Sequence, residues 1–146
     1  MKLYTVGFTK KNAKQFFELL IKNNVKRLID IRLNNKSQLA GFAKGEDLSY
    51  FLKRIGNIEY IYKPDYAPTK ELLNLYRDKA IDWKEYEKQY IQILKEREIL
   101  KNIEWSLFDG ACLLCSEETA DMCHRRLLAE YLAGANKEIE ITHLKG

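Results

Sequence analysis

The chain has 146 residues, 25 Lys and Arg against 21 Asp and Glu for a formal net charge of +4, and 46% hydrophobic and 32% charged residues. Seven Gly and two Pro exclude collagen-like, Pro-rich and linker-like character, and no low-complexity tract interrupts the hydrophobic pattern. Three Cys, an odd and small number, exclude a disulfide framework, so the expectation is one α/β domain over residues 1–146 whose thiols rest mostly reduced in the cytoplasm.

Met1 leads straight into a β-type run from Tyr4 to Phe8, with no basic segment followed by an apolar stretch and a small-residue cleavage site. No apolar stretch approaches the ~20 residues that span a bilayer, so no membrane partner is expected. Thr9 is expected to cap a helix whose apolar stripe is Ala13, Phe16, Phe17, Leu19, Leu20 and Ile21. Val25–Ile31 reads as a second strand, and the polar stretch Arg32–Gly45 as the longest loop. Glu46 and Asp47 favour a helix start that Leu48, Phe51, Leu52 and Ile55 continue, before Gly56-Asn57 ends it. Ile58–Tyr62 is the third strand. Pro64 and Pro68 bracket a turn ahead of two helices with apolar stripes at Leu72, Leu73, Leu75, Tyr76 and Ala80, then at Trp83, Tyr86, Tyr90, Ile93 and Leu94. Ala111–Cys115 has the look of a buried parallel strand, Leu127, Leu128, Tyr131 and Leu132 mark a helix ending near Gly134, and Glu138–His143 closes the chain as a strand.

Helical crossovers between successive strands predict a mainly parallel sheet of about five strands with helices on both faces, a Rossmann-like three-layer sandwich. Ligands of such sheets bind outside the carboxyl ends of the strands. Those positions here are Gly7 and Thr9, Asp30 and Arg32, Cys115 and Glu117, and His143. The densest cluster runs from Cys115 through Glu117 to Cys123, His124 and Arg125. If Thr119 or Asp121 caps the helix, Cys123 lies in its first turn, where the helix dipole and Arg125 favour thiolate. The alternative is that Cys115 and Cys123 are small buried hydrophobes. Cys112 and Cys115 have C-x-x-C spacing, but alternation along a strand puts them on opposite faces, so no metal site is assigned.

Arg32 and Arg125 are expected to clamp an anion, Glu117 or Asp30 to act as base or orienter, and Cys123 with His124 to act as nucleophile and proton carrier. Gly7, Thr9, Cys115 and His143 would complete the ligand contacts. Residues 1–36 hold nine Lys and Arg against Glu18 and Asp30, which adds to the expectation of a phosphate-bearing ligand, a nucleotide or a nucleic-acid end. Two alternatives stay open. One is a nucleic-acid-binding module using Lys10, Lys11, Lys14 and Lys22. The other is a redox protein using Cys115 and Cys123 as a dithiol, which requires Cα atoms within ~7 Å. No cofactor and no oligomeric state are read from the pattern.

Tyr4-Thr5-Val6-Gly7-Phe8-Thr9, Leu28-Ile29-Asp30-Ile31-Arg32, Leu114-Cys115-Ser116-Glu117, Cys123-His124-Arg125 and His143, in this order, resemble the domain-of-unknown-function 488 family over nearly the whole chain. The family's hallmarks are a tyrosine-threonine-hydrophobic-glycine-histidine-serine opening, an aspartate-valine-arginine strand end, a cysteine-alanine-glutamate segment and a cysteine-histidine-arginine helix start. This chain departs from them with Phe8 in place of histidine, Asn35 in place of proline, and Gln38 in place of the arginine that follows the serine matched by Ser37. The resemblance implies a set of positions and no substrate.

Overall fold

A computed structural model describes residues 1–36, 41–116 and 122–145. Strands β1 (Lys2–Gly7), β2 (Arg27–Asp30), β3 (Glu59–Tyr62), β4 (Ala111–Cys115) and β5 (Glu140–His143) form one sheet in the order β3-β2-β4-β1-β5. Every neighbouring pair is parallel. Ala-Cys-Leu-Leu-Cys of β4, apolar throughout and wholly buried, is the central strand, because only a strand covered on both faces tolerates an unbroken apolar run.

The helices are α1 (Ala13–Lys22), α2 (Gly45–Gly56), α3 (Lys70–Arg77), α4 (Trp83–Glu96) and α5 (His124–Ala135). Phe16, Phe17 and Leu20 of α1 and Leu48 and Leu52 of α2 pack on Tyr4, Val6, Leu28, Cys112 and Leu114. On the opposite face, Tyr86, Tyr90 and Leu94 of α4 and Leu127, Leu128 and Leu132 of α5 pack on Leu3, Ile29, Leu113 and Cys115. Each leucine so buried contributes roughly 1.5–3 kcal/mol. The expected three-layer sandwich is therefore present, and alternation along β4 does send Cys112 and Cys115 into different layers.

Local boundaries differ from the expectations in ways the backbone explains. Thr9 does not cap α1: Asn12 does, its side chain accepting from Gln15 N while Gln15 Oε1 accepts from Asn12 N. That reciprocal pair satisfies two otherwise orphaned N–H groups, which Thr9 is too distant to do. Thr9 instead bonds the loop after β4, through both its N–H and its hydroxyl to the Ser116 carbonyl. Asn57 stops α2 by taking the left-handed conformation (φ 53°) and donating to the Leu52 and Lys53 carbonyls.

This winding places the site. From β1 and β2 the chain turns to the face covered by α1 and α2, whereas from β3 and β4 it turns to the other. Because β4 lies between β1 and β2, a crevice opens on both sides of its carboxyl end, the position where ligands bind in doubly wound sheets.

Candidate functional site

Parallel register brings the strand ends together: Gly7 is paired with Cys115, Asp30 with Leu114, and Ile31 N donates to the Leu114 carbonyl at 3.1 Å. A cleft of about 400 Å³ lies over them, lined by Arg32, Cys115, Cys123 and His124 together with Tyr76, Trp83 and Tyr86. Trp83 and Tyr86 stack at 4.7 Å, so the aromatic positions of α4 form a cleft wall as well as core. A larger groove of about 560 Å³ between α1 and α2, lined by Phe17, Phe42 and Phe51, has no thiol, imidazole or buried charge among the described residues.

Asp30 is fully buried and fully engaged. Its carboxylate accepts from Arg32 Nε at 2.8 Å, Arg32 Nη2 at 2.7 Å and the Tyr60 hydroxyl at 2.6 Å, as well as from the Arg32 backbone N–H. Arg32, 4% exposed, also donates from Nη2 to the Ala43 carbonyl and lies with its guanidinium 5.3 Å from the centre of the Phe8 ring. Phe8 thus supplies a cation–π face. Among the described residues, Arg32 Nη1 is buried without a hydrogen-bond partner, and so is Nε1 of Trp83 in the same cleft lining. Burial and the bond to Asp30 push the Tyr60 phenol upward, because its anion would face a carboxylate. Tyr60 carries no site signal in the sequence; it stands on β3 opposite Leu28, and its hydroxyl reaches Asp30 only because strand order places β3 beside β2, which no local pattern reports.

Cys115 ends β4, and Cys123 is itself the N-cap of α5 rather than a first-turn residue. Their sulfurs are joined as a disulfide, with Cα atoms 7.6 Å apart, slightly beyond the expected ~7 Å limit. This differs from the expectation of resting thiols. Arg125 is also placed differently: its Nη1 lies 3.3 Å from Cys115 Sγ, and its Nε donates to the Thr5 hydroxyl at 3.3 Å. The Thr5 hydroxyl is in turn 2.6 Å from His143 Nδ1, which ties β5 into the same network.

His124 opens α5, buried, with Nε2 2.8 Å from the Ile31 carbonyl. A carbonyl only accepts, so Nε2 carries the proton and Nδ1 the lone pair. Burial, aided by the Arg125 charge and opposed by that carbonyl, pulls its pKa down to about 4. His124 is therefore neutral near pH 7. Burial pushes the Cys112 thiol upward in the opposite layer. Glu117, Thr119 and Asp121 lie outside the described residues, as do Ser37 and Gln38.

Among the described residues, no helix is long and apolar enough to cross a membrane. The model of the family described as Domain of unknown function DUF488 matches residues 12–132. No curated protein matches the chain, and no solved structure does.

Proposed function

We propose a function for this chain, which belongs to the DUF488 family and inherits no activity from that description: Cys115 and Cys123 are a thiol–disulfide exchange pair. The observation that carries this reading is the joined pair itself, lining the cleft at the end of the central strand. Both sulfurs have a neighbour that stabilises thiolate, the α5 N-terminus for Cys123 and Arg125 for Cys115. An external thiolate attacks Cys123 Sγ, forming a mixed disulfide and releasing Cys115 as a thiolate beside Arg125. A second external thiolate attacks the external sulfur of the mixed disulfide and releases Cys123, leaving two protein thiols and one external disulfide. The better-stabilised thiolate departs faster, which makes Cys115 the leaving group.

Equilibration in glutathione buffers of graded poise, acid quenching and intact-mass analysis test this. Reversible opening of the Cys115–Cys123 bond with a single midpoint is expected, and Cys115→Ser should trap glutathione at Cys123. A bond that neither opens nor re-forms across the series, or glutathione trapped at Cys112, would overturn it.

A second reading, a phosphate-bearing ligand in the cleft, is favoured by the buried Nη1 of Arg32, which has no partner among the described residues. The fork formed by Nε and Nη2 is taken by Asp30, so the anion contact falls to Nη1. Thermal shifts with inorganic phosphate and a nucleotide panel should disappear in Arg32→Lys if this holds. A salt-dependent nucleic-acid affinity that survives the same change would instead favour the binding module built on Lys10, Lys11, Lys14 and Lys22.

A further inference from the structure

The geometry points to a second state of the same centre: with the disulfide opened, Cys115, Cys123 and His124 bind a zinc ion. This rests on the exchange reading in one respect, that the pair opens to two thiols. Three observations carry it beyond that reading.

The ligand atoms of these three buried residues all lie within 4.8 Å of one another. Zinc bonds of about 2.3 Å to sulfur and 2.0 Å to nitrogen hold tetrahedral ligands at separations inside that limit. The second observation is backbone spacing. Disulfides usually join Cα atoms roughly 4.4–6.8 Å apart, whereas Cys115 and Cys123 are separated by 7.6 Å. Two thiolates on a shared ion stand further apart than two bonded sulfurs, so this spacing suits the open form. The third is His124. Its Nε2–H is fixed on the Ile31 carbonyl, leaving the lone pair on Nδ1, and such a backbone anchor is how metal-bound imidazoles are held.

The ligands come from the last residue of β4 and the N-cap and first residue of α5, elements fixed by the sheet and core rather than by a free loop. Two thiolates neutralise Zn²⁺, and the Arg125 Nη1–H near Cys115 Sγ donates to a thiolate whether or not it is metal-bound. Sulfur and imidazole donors in this ratio select zinc over magnesium or calcium. A phosphine reductant opens the centre in balance: the phosphine and water give a phosphine oxide, and the two hydrogens go to Cys115 and Cys123. Zinc then displaces both thiol protons.

The test compares the whole chain before and after phosphine reduction, loaded anaerobically with Zn²⁺ and, separately, Co²⁺, with elemental analysis and absorption spectroscopy. One bound zinc per reduced chain, none per oxidised chain, and a thiolate-to-cobalt charge-transfer band are expected. His124→Ala should weaken zinc binding by at least about tenfold yet still form the disulfide, while Cys112→Ala should change neither. A reduced, folded wild-type chain that takes up no zinc, cobalt bound without the charge-transfer band, or undiminished affinity in His124→Ala would overturn the inference. The two readings fail separately: a chain that cycles with glutathione but binds no zinc loses only the metal state, and one that binds zinc but never re-forms the disulfide loses only the exchange function.

Discussion

Arg125 Nη1 and Cys115 Sγ meet at 3.3 Å in the buried interior, although Cys115 is ten residues earlier and Cys123 only two. Helical geometry explains the choice: α5 begins at His124, and the Arg125 side chain leaves toward β1 and β4, where Thr5 takes its Nε. In the reduced chain, Arg125→Gln should therefore slow native alkylation of Cys115 by about tenfold, equivalent to one pKa unit of lost thiolate stabilisation. Cys123, served by the helix terminus, should change less. Rates assigned by peptide mass analysis, with circular dichroism to confirm folding, check this; equal slowing at both cysteines would contradict it.

The Asp30–Arg32 pair has 0% and 4% side-chain exposure, so removing one partner strands a buried charge. Asp30→Asn should cost about 3–5 kcal/mol in urea unfolding. Tyr60→Phe, which removes one bond to the carboxylate, should cost about 1.5–3 kcal/mol. Asp30→Asn combined with Arg32→Met should cost less than the sum of the single changes, because no unpaired charge remains.

Stability of the oxidised chain should depend on His124 below neutrality. Its folded pKa of about 4 lies below the ordinary 6.5, so between these values the unfolded state binds the extra proton. The contribution is fully present above pH 6.5 and is lost as pH falls toward about 4, amounting to roughly 3 kcal/mol. Urea midpoints across this range should fall more steeply for the wild type than for His124→Gln; parallel profiles would show that His124 is not held neutral.

Cys112 should resist alkylation in the folded chain, reduced or oxidised, because burial opposes its ionisation. Labelling should appear only with unfolding, following the loss of circular dichroism signal. Labelling of Cys112 at the rate of Cys115 or Cys123 in native reduced chain would contradict this.

Much of the sheet is legible in the sequence because each strand carries its own signal: the apolar run Ala111–Cys115 coincides with the bounds of β4, and alternation alone separates Cys112 from Cys115. The same local logic brought Gly7, Asp30, Arg32, Cys115, His124 and Arg125 to one end of the sheet, since parallel strands joined by crossovers share their carboxyl ends. Side-chain partners were not legible, because they depend on which strands are neighbours. Placing β3 beside β2 gives Asp30 the Tyr60 hydroxyl. Placing β4 between β1 and β2 puts Cys115 against the start of α5, where its sulfur meets both Cys123 and Arg125. Periodicity and capping act over a few residues and leave their mark in the chain, whereas the side-chain contacts of the site span up to 138 positions, between Thr5 and His143. Which cation faces which sulfur was therefore decided by tertiary packing alone.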